Sequence, residues 1–217
     1  MNNCFILLAA GKGKRFNSKE KKQFIYYRNK PLFMHSVEKA KKSKLFKKIL
    51  LVTNNQIKIP NVDVIRGGKE RSDSSLKALE YLKNKKIKNV FIHDAARPNF
   101  SLKLLRNIIK NLRNYKAVVP IISSKDSIKY KVNNQIFNLD RNNSFLTQTP
   151  QAFRFKELYN LAINEKNKIS DEATIFINNK IKVKFIPGEN KNNKITYLSD
   201  IETSKTYYGI GFDIHKL

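Results

Sequence analysis

The stretch CFILLAAGKGKRF, residues 4–16, runs an apolar segment straight into Gly11 and Gly13 and the cations Lys12, Lys14 and Arg15. Glycines let a backbone approach a ligand closely, successive N–H groups can form an anion nest, and the side chains add full positive charge. A triphosphate suits such a loop. Two familiar phosphate loops do not account for it. Gly13 is followed by Lys14 and Arg15 with no hydroxyl, unlike the loop of nucleotide hydrolases. Phe16 occupies the third glycine position of the dinucleotide fingerprint, where helix and strand must pack closely. Taken alone, the glycine pair would also serve an ordinary strand-to-helix turn.

A second centre is Asp94, at the end of NVFIHDAARP, where a carboxylate is well placed for magnesium. With Pro98 following, a turn or capping aspartate is the plainer alternative. Gly67 and Gly68 form a turn or a ligand loop, and the run Ser72 to Ser74 reads as an N-cap for the next helix.

The elements that must position these residues follow from hydrophobic periodicity. Short runs rich in Ile, Val and Phe (CFILLAA, KILLVT, VDVI, NVFIHDA, AVVPII, IKVKFI) alternate with amphipathic segments (PLFMHSVEKAKKS, ERSDSSLKALEYLKN, SLKLLRNIIKNLRN, RFKELYNLAINEKN). Alternation of this kind predicts an α/β fold, a Rossmann-like, mostly parallel sheet with helices on both faces. Its sites belong at the carboxyl ends of the strands. Residues 125–147 break the alternation with an Asn-Asn turn between extended runs, the pattern of a protruding β-arm. No repeat or flexible linker interrupts the chain before about residue 200.

At 217 residues the chain suits one domain with a sizeable core. Cys4 is the one cysteine, which excludes a disulfide framework. The opening apolar run, about seven residues with its cations after it, reads as neither signal peptide nor membrane span. The expected setting is reducing and cytoplasmic. The formal charge of +27 raises nucleic-acid binding. However, the lysines are spread over nearly every segment, without an aromatic-interleaved arginine stripe. Such a field attracts anionic small molecules and binds polyanions nonspecifically. His35, on an expected helix, receives no role.

The motifs LLAAGKGKRF, KKQF, GGKERSDS, HDAARP, DRNN, TQTPQ, SDEA and NNKIT, in this order and spacing, resemble the 2-C-methyl-D-erythritol 4-phosphate cytidylyltransferase family over roughly residues 3–205. The resemblance implies a nucleotidyltransferase-type fold that joins CTP to methylerythritol phosphate with magnesium or another divalent cation, and releases pyrophosphate. It gives Arg15 and Lys22 to stabilising charge on the α-phosphorus, and Ala9, Ala10, Gly11, Gly13, Gly68, Ser74 and Asp94 to holding the nucleotide, Asp94 also to the metal. Ala95, Arg97, Thr149 and Ser170 of the SDEA segment would line the acceptor, and Lys194 would orient its phosphate. Arg141 would reach from the arm of one subunit into the site of another, which implies a homodimer with shared active sites. Leu8 stands where the family commonly has Pro, Lys69 where Asp is common, and Ser127 and Ser170 where Thr is common.

A sister enzyme acting on ribitol phosphate shares this scaffold, and the HDAARP motif favours the methylerythritol substrate. A noncatalytic nucleic-acid-binding protein would explain the charge but not the ordered motifs. The tail YYGIGFDIHKL, residues 207–217, resembles the opening strand of methylerythritol cyclodiphosphate synthase, in which Asp213 and His215 would be metal ligands, usually of zinc. The expected organisation is therefore a transferase domain over residues 1–205 and the start of a cyclase domain over residues 206–217.

Overall fold

The computed structural model describes residues 2–11, 13, 16, 21–165 and 169–202. Strand β1 (Asn3–Leu8) is followed by a short hairpin of β2 (Tyr26–Tyr27) and β3 (Lys30–Pro31), then α1 (Leu32–Ser43), β4 (Lys48–Val52) and β5 (Asp63–Ile65). Helix α2 (Arg71–Leu82), β6 (Asn89–Asp94), α3 (Leu102–Asn111) and β7 (Ala117–Ser123) continue the alternation. The hairpin β8 (Ile128–Val132) and β9 (Gln135–Leu139) comes next, followed by β10 (Phe145–Thr147) and β11 (Gln151–Arg154). Helices α4 (Phe155–Ala162) and α5 (Glu172–Asn178), strand β12 (Val183–Pro187) and the short α6 (Ser199–Glu202) complete the described elements.

The main sheet runs β10-β7-β11-β6-β1-β4-β5, with β12 also on β7. Strands β5, β4, β1 and β6 are mutually parallel, and β12 is parallel to β7. Strand β11 lies antiparallel between β6 and β7, and β10 is antiparallel to β7. The mostly parallel sheet agrees with the sequence. The antiparallel pair is an addition that four- and three-residue strands, too short for a periodic signal, do not announce.

The apolar runs are continuous because both faces of the sheet are covered. Alternate β1 residues point to opposite sides. Cys4, Ile6 and Leu8 pack with Ala78, Leu79 and Leu82 of α2, Leu158 of α4 and Phe176 of α5. Phe5 and Leu7 pack with Phe33, Val37 and Ala40 of α1 and Leu104, Leu105 and Ile108 of α3. Each fully buried Leu or Phe contributes roughly 1.5–3 kcal/mol, so these two layers fix the sheet that carries the site.

The arm is as expected. Strands β8 and β9 form their own two-stranded sheet, and Asn133 and Asn134 turn between them with φ of 44° and 67°. Asparagine tolerates this left-handed region better than most residues, which is why the Asn-Asn pair marks the turn. Helix α2 starts differently from the sequence reading. Its N-cap is Glu70, whose N–H donates to Asp73 Oδ2 at 2.9 Å, and Ser74 already lies inside the helix.

Candidate active site

Parallel β1, β4 and β6 end at the same edge, and the loops that follow them meet there. The first loop extends the ladder. Ala9 N–H donates to Val52 O at 2.8 Å, and Ala95 N–H to Leu8 O at 3.1 Å. Buried Gln23 holds the loop from below, its Nε2 donating to Ala9 O at 2.7 Å and Gly11 O at 3.1 Å. The second loop presses on the first so closely that a β-carbon on Gly67 would lie 2.2 Å from Ala10 Cβ. One on Gly68 would lie 2.2 Å from Asp73 Cβ, so both glycines are sterically required. Ser74 Oγ accepts from Gly68 N–H at 3.0 Å and donates to Glu70 O at 3.0 Å, tying this loop to α2. Gly13 adopts φ 63°, while a β-carbon on Gly11 would meet nothing within 4 Å, leaving that position open.

The loops border a cavity of about 430 Å³ lined by Ala9, Ala10, Gly11, Gly13, Lys22, Gly68, Ser74, Asp94, Ala95 and Lys194, together with Lys69, Glu70 and Arg71. Asp94 is the centre of its charge arrangement. Arg71 Nε donates to Asp94 Oδ1 at 3.1 Å, and Lys194 Nζ to Oδ2 at 2.7 Å. Arg71 also grips Glu172 bidentately, at 2.8 and 3.0 Å. Burial raises the Asp94 carboxyl, but Arg71 and Lys194 outweigh it and hold the group far below the usual carboxylate range. Burial likewise lowers Arg71, and Glu172 and Asp94 more than reverse it, so Arg71 and Asp94 face each other as ions.

Behind Asp94 lies a neutral network. Its N–H donates to Thr149 Oγ1 at 3.0 Å, and that hydroxyl is 2.9 Å from His93 Nδ1. His93 Nε2 lies 2.9 Å from the carbonyl of Arg97, which can only accept. The ring is therefore the Nε2–H tautomer, and Thr149 donates to Nδ1. Burial pushes His93 down to about 3, so it is uncharged at neutral pH. Arg97 donates through Nη1 to Asn192 O at 2.9 Å and Nη2 to Thr147 O at 3.3 Å. Its buried Nε has no partner among the described residues. Asn192, fully buried, donates to Thr149 O at 2.9 Å and anchors the loop that carries Lys194. A second cavity of about 480 Å³ is lined by Arg97, Lys191, Lys194, Tyr27 and Asn99 among others, so Lys194 borders both spaces.

This geometry offers a place for an anionic nucleotide beside a cationic space for a second anion. The family model described as 2-C-methyl-D-erythritol 4-phosphate cytidylyltransferase matches residues 3–209. The chain belongs to this family. It is 46% identical over 225 residues to the bifunctional enzyme IspD/IspF of Pelagibacter ubique, covering 100% of the chain and 61% of that relative. It is 35% identical to the 2-C-methyl-D-erythritol 4-phosphate cytidylyltransferase of Caldicellulosiruptor bescii, covering 93% of the chain and 95% of the relative. The solved bifunctional IspDF of Campylobacter jejuni superimposes with a TM-score of 0.82 at 30% identity, over 93% of this chain and 54% of that one. The 2-C-methyl-D-erythritol 4-phosphate cytidylyltransferase of Francisella tularensis gives 0.81 at 27% identity, over 94% and 98%.

Among the cytidylyltransferase positions read from the sequence, Ala9, Ala10, Gly11, Gly13, Lys22, Gly68, Ser74, Asp94, Ala95 and Lys194 converge on the first cavity, and Arg97 and Lys194 on the second. Arg15 and the tail with Asp213 and His215 lie outside the described residues. Thr149 is buried, with its hydroxyl engaged by His93 and Asp94, and it borders neither cavity. Ser170 is exposed, its Oγ is 3.5 Å from Thr174 Oγ1, and it lines neither cavity. Arg141 sits in a single 3-10 turn (Arg141–Asn143) after the arm hairpin, with Nη1 3.4 Å from Lys125 O, and lines neither cavity of its own chain. Sequence reasoning gave no individual role to Gln23, Arg71, His93, Glu172 or Asn192. Each was visible only as a letter of the motifs KKQF, GGKERSDS, HDAARP, SDEA and NNKIT. His35 is structural, its Nε2 2.6 Å from Tyr27 O.

Proposed function

We propose that this chain transfers the cytidylyl group of CTP to the phosphate of 2-C-methyl-D-erythritol 4-phosphate and releases pyrophosphate. The observation that carries the reading is the cavity in which two close-packed glycine loops meet the Asp94–Lys194 pair and Lys22. Main-chain groups of Ala9, Ala10 and Gly68, with Ser74, would read the amide edge of a cytosine and exclude a purine by size. An oxygen of the acceptor phosphate bonds to the α-phosphorus, the bond to the bridging oxygen breaks, and pyrophosphate leaves with the electron pair. Lys22, and Arg15 with it, would stabilise the charge that builds on the equatorial and leaving oxygens. Lys194, at the border of both cavities, would orient the attacking phosphate, and Arg97 would help to hold it.

The donor set fits magnesium, or another divalent cation, carried on the triphosphate. Among the described residues no cluster of three or more His, Cys, Asp or Glu could hold a metal by itself. Magnesium is commonly bound by one or two carboxylates plus phosphate oxygens and water, and Asp94 is the residue placed to supply one. When bound, the ion would neutralise charge on the phosphates.

The working unit would be a homodimer in which Arg141 serves the neighbouring subunit's acceptor site. Supporting this, the arm and its base expose Val132, Ile136, Phe137, Leu139, Phe145 and Leu146, a concentration of apolar surface of the kind that a partner chain covers. The chain spans about three-fifths of its bifunctional relative. It would be the transferase part of a polypeptide that also carries a cyclodiphosphate synthase, a reading that the reading frame beyond Leu217 would test directly. The proposed compartment is the cytoplasm, in keeping with a single, buried cysteine. Among the described residues no helix is long and apolar enough to cross a membrane.

The decisive assay supplies CTP and magnesium with either methylerythritol phosphate or ribitol phosphate and follows pyrophosphate. Release with methylerythritol phosphate is expected, and the relatives' names favour that acceptor. Release with ribitol phosphate alone would overturn the reading.

A further inference from the structure

Glu172 is 1% exposed and borders neither the nucleotide nor the acceptor cavity, yet it is paired with Arg71 in the charge chain of the site. It lies at the start of α5 and meets Arg71 at the start of α2, across 101 residues of sequence. A guanidinium is planar, and its donors form a rigid fork. Two bonds from Nη1 and Nη2 to the Glu172 carboxylate fix the plane of that fork. Once the plane is fixed, Nε has one direction, and in that direction it meets Asp94 Oδ1. The Asp94 main chain is held independently by Thr149. One carboxylate oxygen is thereby committed to the protein. The other, Oδ2, has a different kind of partner, since Lys194 reaches it with one ammonium on a flexible stem and a side chain 38% exposed. Buried ion pairs generally return little net stability, so a three-charge chain linking α2, α5 and β6 invites a reason beyond stability.

We propose that Glu172 is a positioning residue for cytidylyl transfer, acting through Arg71 to fix Asp94 Oδ1 and leave Oδ2 as the exchangeable oxygen that passes from Lys194 to the divalent cation. The inference rests on the functional reading above. It separates two tasks that would otherwise be assigned to Asp94 alone: Glu172 and Arg71 set the orientation, and Asp94 makes the contact. It also gives Lys194 a resting place, from which the cation's arrival frees it to meet the acceptor phosphate.

The test is calorimetry of CTP binding to the full chain in EDTA and in magnesium, with turnover measured alongside. Wild type is expected to bind more tightly with magnesium. Glu172→Gln, nearly isosteric, should keep metal-free CTP affinity within about twofold, lose at least about tenfold of the magnesium-dependent gain, and lower kcat more than it raises the acceptor KM. Glu172→Asp retains the charge and should recover part of the gain. Because Glu172→Gln leaves a buried cation half-paired and can fail to fold, the double variant Arg71→Gln/Glu172→Gln removes both charges and should lose the same gain. A folded variant with the wild-type magnesium gain would overturn the proposal. So would equal losses with and without metal, which mean a merely structural role, or Glu172→Asp as impaired as Glu172→Gln. Wild type that binds no CTP under either condition would instead overturn the functional reading itself.

Discussion

At the residue scale, the site separates side chains that face the cavity from side chains that hold them. Lys22 faces it, and its proposed contacts strengthen only as charge develops on the phosphates. Lys22→Ala, and Arg15→Ala likewise, should lower kcat by about two orders of magnitude or more with a much smaller change in the KM for CTP, the pattern expected when a transition-state contact is lost. Steady-state kinetics decide it, and near-normal turnover would return both to solvated surface cations. His93 holds from behind, and its effect is legible in pH. Its folded value is lowered to about 3 by burial, whereas an unfolded histidine titrates near 6.5. The unfolded state therefore binds the extra proton in this window, and the contribution, complete above pH 6.5, is lost as pH falls toward 3. Denaturant unfolding of wild type and His93→Gln, whose amide can reproduce both hydrogen bonds, should diverge between pH 6 and 4. Wild type is expected to lose roughly 2–3 kcal/mol more than the variant over that range. Parallel curves would mean that His93 takes up its proton without unfolding.

At the element scale, each part of the site is delivered by a different device. The parallel strands bring loop one, loop two and Asp94 to one edge, and the antiparallel β11 returns the chain so that Thr149 lies beside His93. Arg141, in the turn that follows the arm hairpin, lines neither cavity of its own chain. A guanidinium suits bidentate capture of a phosphate, so Arg141→Ala should raise the KM for methylerythritol phosphate while sparing CTP binding. Mixing Arg141→Ala with Lys22→Ala chains should regenerate activity, because random pairing creates some sites with both residues intact. If mixtures remain as inactive as the separate variants, the arm does not cross between subunits.

At the scale of the whole molecule, the charge of +27 acts as a field rather than a recognition surface. Duplex DNA should bind at low ionic strength and be released by about 200 mM salt, because such binding depends on counterion release. A filter-binding or anisotropy titration across salt measures this, and affinity that persisted at the higher concentration would revive a nucleic-acid function. The same field should speed capture of CTP, whose association ought to slow with added salt even where turnover does not.

The sequence alone determined what local pattern can encode: the strand and helix alternation, the glycine loops, the Asn-Asn turn of the arm and the place of Asp94 at the end of β6. Those features are written in neighbouring residues through periodicities of two and 3.6 and through the backbone demands of glycine and asparagine. Helix α5 escaped because seven residues are too few for a helical period, although Asp171, which caps it by accepting from Thr174 N–H at 3.1 Å, was a readable sign. Only the tertiary structure decided which charges meet. Lys194 reaches Asp94 across 100 residues and Arg71 reaches Glu172 across 101, pairings that no local pattern specifies among 44 basic and 17 acidic side chains. The physical reason is that an ion pair records only distance in space. Distance in space is set by the order in which the strands join the sheet, and with it came the division of Asp94 between one oxygen held by Arg71 and one held by Lys194.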